Sequence, residues 1–93
     1  MQMVRAHVIV HGRVQGVFFR AETQRAARER NVAGWVRNRR DGTVEAVMEG
    51  DKADVESAVA WCRQGSPLAE VEKVDVAWEP YSGDFSAFDV RYA

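Results

Sequence analysis

Two hydrophobic periods alternate along the first third of the chain, and they predict a strand followed by a helix. In Val4–Val10 apolar residues recur at every second position, which is the period of a strand with one buried face. From Phe18 to Arg30 good helix formers predominate, and Gly34 closes the stretch. One face of this predicted helix repeats at helical spacing and is expected to pack inward: Phe19, Thr23, Ala26 and Ala27.

The middle of the chain predicts a hairpin. Two extended runs, Trp35–Arg40 and Thr43–Glu49, are separated only by Asp41 and Gly42. An Asp-Gly pair between two such runs is one of the strongest signals for a two-residue hairpin turn. We therefore expect these runs to form the second and third strands.

A second helix is predicted after Gly50. Asp51 can cap its first turn, and Gly65 stands where a left-handed residue commonly closes a helix. Ser66 and Pro67 then prevent its continuation. The predicted buried face is Val55, Ala58, Val59 and Cys62.

The complete order of elements predicts the fold class. Val74, Val76 and Trp78 alternate as a fourth strand that Pro80 stops, and Ala87–Tyr92 forms a short terminal strand. Two helices cannot cover both faces of so small a sheet, so both should lie on one face of an antiparallel sheet. We predict an α+β, ferredoxin-like βαββαβ sandwich with a short terminal strand, forming a single domain over residues 1–93.

Cysteine content and hydropathy narrow the cellular setting. The chain has one cysteine, Cys62, which excludes an internal disulfide framework and fits a reducing compartment. The sequence has no apolar leader at Met1 and no window with the 18 or so apolar residues of a membrane span. We expect a soluble, cytoplasmic protein without a membrane partner.

The net charge of −1 hides a strong asymmetry. Residues 1–40 contain nine arginines and two glutamates, whereas residues 41–93 contain four basic and twelve acidic residues. This distribution indicates an anionic partner for the first half, either a nucleic acid or a small phosphate compound.

The segment between the first strand and the first helix, Gly12–Arg20, has the features of a phosphate cradle. The first N–H groups of a helix lack intrahelical partners and, with the helix dipole, attract anions. Gly16 lets the backbone approach a bound group, and Arg20 in the first turn can reach the same anion. The segment is not a Walker P-loop, and similar loops occur in proteins without a ligand, so spacing alone leaves both interpretations open. The side chains of Phe18 and Phe19 are expected in the core.

Asn38 is the second candidate residue. The predicted topology makes the first and second strands parallel, so both end at the same edge of the sheet. Asn38 should therefore lie near the Gly12–Arg20 loop, on the same strand face as Val36. Taken alone, an asparagine before a hairpin is more often a turn former than a ligand-binding residue.

Metal chemistry and general acid–base chemistry have little support. His7 and His11 would lie roughly 13 Å apart along a strand, too far to bind one metal ion. Cys62 occupies an apolar helix position, and no acidic residue falls in the predicted cradle. A site built from backbone N–H groups, arginine and asparagine would have no strong acid or base.

Taken together, these motifs resemble the two signatures of the acylphosphatase family. The matching runs are Gly12-Arg13-Val14-Gln15-Gly16-Val17-Phe18-Phe19-Arg20 and Gly34-Trp35-Val36-Arg37-Asn38, and the similarity continues through Arg91-Tyr92. The resemblance implies metal-free and cofactor-free hydrolysis of a small-molecule acyl phosphate to a carboxylate and inorganic phosphate. It implies that Arg20 binds phosphate and is catalytic, and that Asn38 orients the attacking water. The remaining phosphate-binding residues would be Gln15, Gly16, Val17, Phe18 and Phe19, acting through their backbone.

Two non-catalytic alternatives are an anion-binding module and an RNA-binding module of the same topology. RNA-recognition domains stack bases on exposed aromatic residues of their first and third strands, and neither Val4–Val10 nor Thr43–Glu49 contains an aromatic residue. We therefore favour a monomeric enzyme that has no nucleic-acid partner.

Overall fold

The computed structural model describes residues 1–92. Its elements follow the predicted order, with boundaries that differ by a few residues from those expected. In chain order they are β1 (Met3–Arg13), α1 (Phe19–Glu29), β2 (Ala33–Asn38), β3 (Val44–Asp51), α2 (Lys52–Gln64), β4 (Glu70–Glu79) and β5 (Phe88–Arg91).

The five strands form one sheet in the order β4-β1-β3-β2-β5. β1 pairs antiparallel with β3 and β4, and β2 pairs antiparallel with β3. β1 and β2 are therefore parallel to each other, as predicted. The terminal strand β5, whose neighbour the sequence did not identify, adds to the edge beside β2 and runs parallel to it.

Both helices pack on the same face of the sheet and bury the residues that their periodicity indicated. Phe19, Thr23, Ala26 and Ala27 of α1 are buried, as are Val55, Ala58, Val59 and Cys62 of α2. They meet strand residues that include Val8, Val10, Val36 and Met48, each no more than 1% exposed. The structure confirms the ferredoxin-like α+β fold.

Two local predictions were wrong. Asp51 is the N-cap of α2 but makes no capping hydrogen bond with its side chain, because its carboxylate accepts the Gln2 N–H instead, at 3.3 Å. The β2–β3 connection is also not a two-residue turn, since the strands end at Asn38 and resume at Val44. The five-residue loop 39–43 is closed by a hydrogen bond from Arg39 N to Thr43 O, at 2.9 Å.

The loop after β1 is shorter than the sequence predicts. The strand continues through Gly12 to Arg13, past a register shift between His11 and Gly12. Pairing with Glu70 and Val71 of β4 continues the strand. The segment between β1 and α1 therefore begins at Val14, and we call residues 14–18 the cradle loop.

The face of the sheet opposite the helices is crossed by residues 80–87, which connect the two edge strands and which we call the crossing segment. Glu49 of β3 anchors it, since its carboxylate accepts hydrogen bonds from Ser82 N, Ser82 Oγ and Gly83 N at 2.8–3.1 Å. Phe85 of the same segment stacks against the Arg5 guanidinium at 5.8 Å. Glu49 is only 2% exposed, so this anchor is buried.

Candidate active site

The sheet register brings the two candidate segments to the same edge. Val44 of β3 is paired with Val10 of β1 on one side and with Asn38 of β2 on the other. The cradle loop follows β1, and Asn38 is the last residue of β2. A cleft of about 690 Å³ lies at this edge, and its lining includes Gly16, Arg20 and Asn38.

The cradle loop presents backbone donors to this cleft. Gly16 has φ +72° and Phe18 has φ +60°, so the chain turns sharply before α1 begins. A side chain at position 16 would project into open space, so the positive φ is what favours glycine there. Apart from the hydrogen bonds within helices and strands, the N–H groups of residues 15–20 donate to no backbone carbonyl of residues 1–92. These donors, at the positive end of the α1 dipole, suit an anion.

Arg20 lies in the first turn of α1 and lines the cleft. No aspartate or glutamate of residues 1–92 forms an ion pair with it. Its guanidinium instead stacks over the Tyr92 ring, at 4.8 Å from the ring centroid. A guanidinium held by an aromatic face keeps its N–H donors available for phosphate oxygens.

Asn38 has an unusual environment for an amide. Its Oδ1 atom is buried and has no hydrogen-bond partner among the described residues. Its neighbour two positions earlier, Val36, is fully buried beneath the helices. An unpaired buried acceptor is destabilising by about 1–3 kcal/mol, and such exceptions often mark a position for water or a ligand.

Two side chains that the sequence did not single out for this role hold the cradle loop in place. The Gln15 Nε2 atom donates to Arg39 O at 2.7 Å and to Thr43 O at 2.8 Å, which joins the loop to the β2–β3 connection. On the other side, Ser66 Oγ donates to Val17 O at 2.9 Å. The sequence predicts Gln15 only as a backbone contact and Ser66 only as a helix stop.

The carboxylate of Asp89 on β5 lines the cleft, whereas Glu45 of β3 is not part of its lining and is held by other partners. Glu45 of β3 accepts from Arg37 Nε and contacts His7 Nε2, both at 2.6 Å. Burial raises the pKa of Glu45, whereas the hydrogen bonds with His7 and Arg37 lower it. The lowering effects together are larger, so the net pKa lies below its usual range. Glu45 therefore stays ionised and does not act as a proton donor near neutral pH.

The side chains of Phe18 and Phe19 differ in burial. Phe19 is 2% exposed and packs against Trp61, as expected of a core residue. Phe18 is 75% exposed, so the expectation of a core side chain was wrong there. Its left-handed backbone at the N-cap of α1 turns the ring outward, beside the cleft.

The described residues show neither a metal-ligand cluster nor a membrane-spanning helix. Among residues 1–92 there is no group of three or more His, Cys, Asp or Glu side chains that could hold a metal ion. No helix in the same range is long and apolar enough to cross a bilayer.

Comparison with known proteins decides the family. The family model described as Acylphosphatase matches residues 6–90 of this sequence. The chain belongs to the acylphosphatase family. It is therefore a hydrolase, and the family implies a small-molecule acyl phosphate as its substrate.

Individual acylphosphatases support this assignment. The chain is 54% identical over 92 residues to an acylphosphatase of Pelotomaculum thermopropionicum, covering 99% of this chain and 100% of the relative. It is 56% identical over 88 residues to one from Natronomonas pharaonis, covering 95% of each chain. The crystal structure of acylphosphatase from Bacillus subtilis superposes with a TM-score of 0.92 at 38% identity, covering 96% of this chain and 99% of that one.

Proposed function

We propose that the acyl phosphate is bound by the backbone N–H groups of residues 15–19 together with Arg20, and that Asn38 orients the attacking water. The observation that carries this proposal is that Asn38 lines the same cleft as Arg20 and has a buried Oδ1 without a hydrogen-bond partner among the described residues. An amide oxygen can accept a hydrogen bond from a water molecule. This bond can orient the water so that a lone pair on the water oxygen points toward phosphorus.

The reaction explains why the cleft needs no general acid. Water forms a bond to phosphorus while the bond between phosphorus and the acyl oxygen breaks, and the carboxylate leaves with the electron pair. Because carboxylic acids have a pKa near 4, this leaving group departs without protonation. The transition state is loose and spreads charge over the phosphoryl oxygens. Arg20 and the cradle N–H groups would stabilise that charge, without a metal ion or other cofactor.

The proton of the attacking water needs an acceptor. Asn38 cannot accept a proton near neutral pH, and the carboxylate that lines the cleft, that of Asp89, belongs to an exposed residue of the edge strand β5. We infer that a phosphate oxygen of the substrate takes the proton, so the products are a carboxylate and dihydrogen phosphate, which then releases a proton to solvent according to the pH.

Replacing Arg20 tests the binding role. Arg20→Gln should leave the fold intact and lower kcat/KM for acetyl or benzoyl phosphate by about a thousandfold or more, since a charged donor to the transition state is lost. Arg28→Gln is the matched control, because Arg28 is an exposed arginine in the last turn of the same helix. Wild-type kcat/KM in Arg20→Gln, or a rate abolished by a chelator, would contradict the proposal.

We also propose a monomeric, cytoplasmic enzyme that does not bind nucleic acid. The edge strand β4 carries five charged side chains, which disfavour edge-to-edge pairing: Glu70, Glu72, Lys73, Asp75 and Glu79. On the sheet face opposite the helices, part of which the crossing segment covers, β1 and β3 carry Glu45 and Glu49 and no Phe, Tyr or Trp, which is unsuited to base stacking. Light scattering should give a mass near 10.5 kDa. A stable dimer, or salt-dependent binding of a single-stranded oligonucleotide, would contradict these statements.

A further inference from the structure

The side-chain NH2 group of Gln15 is fully used in holding the β2–β3 loop. Its two short hydrogen bonds, 2.7 and 2.8 Å, both run to carbonyl oxygens, those of Arg39 and Thr43. Carbonyl oxygens only accept, so the group facing them is the NH2, and an NH2 has two hydrogens to donate. Neither hydrogen remains for a substrate, so the amide nitrogen does not act by donating to phosphate.

The same two carbonyls also close the loop that follows Asn38. Arg39 O accepts from Gly42 N at 3.3 Å, and Thr43 O accepts from Arg39 N at 2.9 Å. Each of these oxygens therefore receives one bond from the loop backbone and one from Gln15. This arrangement joins the cradle loop to the residue directly after Asn38 and to the residue before Val44, its partner in the sheet.

Asn38 itself has no such support on its Oδ1 side. That atom has no hydrogen-bond partner among residues 1–92, so the position of the side chain relies on packing and on the backbone that carries it. The backbone at position 38 is fixed by pairing with Val44 on one side and by the Gln15 anchor on the next residue.

We propose that Gln15 is a positioning residue, whose side-chain amide sets the distance between the phosphate cradle and the Asn38 amide oxygen. This proposal rests on the proposed role of Asn38. The cradle N–H groups and the Gln15 amide belong to one loop, so the anchor links the group that binds phosphate to the strand that carries the water-orienting residue. A displacement of a reacting group by about 1 Å can lower a rate by about a hundredfold.

The test is a double-mutant cycle of Gln15→Met and Asn38→Ala. Methionine keeps the length of the side chain and removes both donors. In the protein that retains Asn38, Gln15→Met should lower kcat by about tenfold to a hundredfold. It should change the inhibition constant of inorganic phosphate by less than about twofold. In the Asn38→Ala background, where there is no amide to position, Gln15→Met should lower kcat by less than about twofold.

Gln24→Met is the matched control. Gln24 also lies beside the cleft, and its Nε2 donates to Phe88 O of β5 at 3.1 Å, away from the β2–β3 loop. Its effect on kcat should be the same in both backgrounds. A general loss of folded protein would likewise lower activity equally in both, so all proteins are compared at a temperature where circular dichroism shows them folded.

The outcomes separate this inference from the function on which it rests. If Gln15→Met lowers kcat by the same factor with and without Asn38, Gln15 does not act through Asn38 and the inference is wrong, while the proposed function stands. If Asn38→Ala alone retains the wild-type kcat, the water-orienting role fails and the inference fails with it.

A spectroscopic readout tests the same link without turnover. With inorganic phosphate bound, the side-chain NH2 resonances of Asn38 should shift or broaden in Gln15→Met, whereas those of Gln24 should not move. Unchanged Asn38 resonances would overturn the inference.

Discussion

The buried carboxylate of Glu49 makes a specific prediction about stability. It is 2% exposed and accepts hydrogen bonds from Ser82 N at 2.9 Å, Ser82 Oγ at 2.8 Å and Gly83 N at 3.1 Å. Arg5 Nη1 lies 3.4 Å away. Glu49→Gln keeps the size of the side chain, but it removes the charge and turns an NH2 toward at least one of these donors.

The expected loss can be estimated from these contacts. A hydrogen bond to a charged group contributes about 1 kcal/mol more than a neutral one, and a buried donor left without a partner is unfavourable by about 1–3 kcal/mol. Relief of carboxylate desolvation offsets part of this sum. We predict that Glu49→Gln lowers the free energy of unfolding at pH 7 by about 3 kcal/mol, against a total of roughly 5–15 kcal/mol for a domain.

The pH dependence provides the sharper part of this test. Burial raises the pKa of Glu49, whereas the hydrogen bonds from Ser82, Gly83 and Arg5 lower it. The lowering effects together are larger, so the net pKa lies below the usual range. A carboxyl with a lower pKa in the folded state stabilises the protein above its unfolded pKa, and this contribution is lost as the pH falls through its folded pKa. The difference between wild type and Glu49→Gln should therefore shrink as the solution becomes acidic.

Urea unfolding at several pH values measures both effects. Glu72→Gln serves as the control, because Glu72 is an exposed glutamate on the edge strand β4, which does not pair with β3. Its effect should stay within about 0.5 kcal/mol. A Glu49→Gln effect below about 1 kcal/mol at pH 7, or one of equal size at pH 3, would refute the anchoring role.

Two further predictions concern the core. Gly34→Ala should lower the free energy of unfolding by more than about 2 kcal/mol, because the new Cβ would lie 1.9 Å from Val47 O at φ +138°. Gly42→Ala should have a smaller effect, because nothing lies within 4 Å of a Cβ at that position. Equal melting temperatures of the two variants would contradict this. Burial raises the pKa of Cys62 to about 12, so a thiol reagent at pH 8 should modify it only after unfolding. Rapid modification of the folded protein would contradict the burial.

The fold could be predicted where short-range pattern determines it. Alternation placed Val8 and Val10 in the core, and helical spacing placed Phe19 and Val55 there. The parallel pairing of β5 with β2 was not predicted, because it depends on where the crossing segment delivers the chain. That segment is bonded to the buried carboxylate of Glu49, a contact between residues far apart in sequence. A glutamate at the end of a strand carries no sign in the sequence that it will be buried.

The candidate site shows the same division. Its location followed from topology, since parallel strands end at one edge and bring Asn38 beside the cradle loop. The anchors were missed because they join residues far apart in sequence, Gln15 to Thr43 and Ser66 to Val17. The outward ring of Phe18 was missed because a left-handed phenylalanine at a helix N-cap has no local signal.

The effect of Asn38→Ala on turnover and on phosphate binding tests the central claim most directly. If Arg20 and the cradle bind phosphate while Asn38 orients water, kcat for benzoyl phosphate should fall by about a hundredfold or more. The inhibition constant of inorganic phosphate should then stay within about threefold of wild type. A wild-type kcat, or a kcat and phosphate affinity that fall together, would contradict the account.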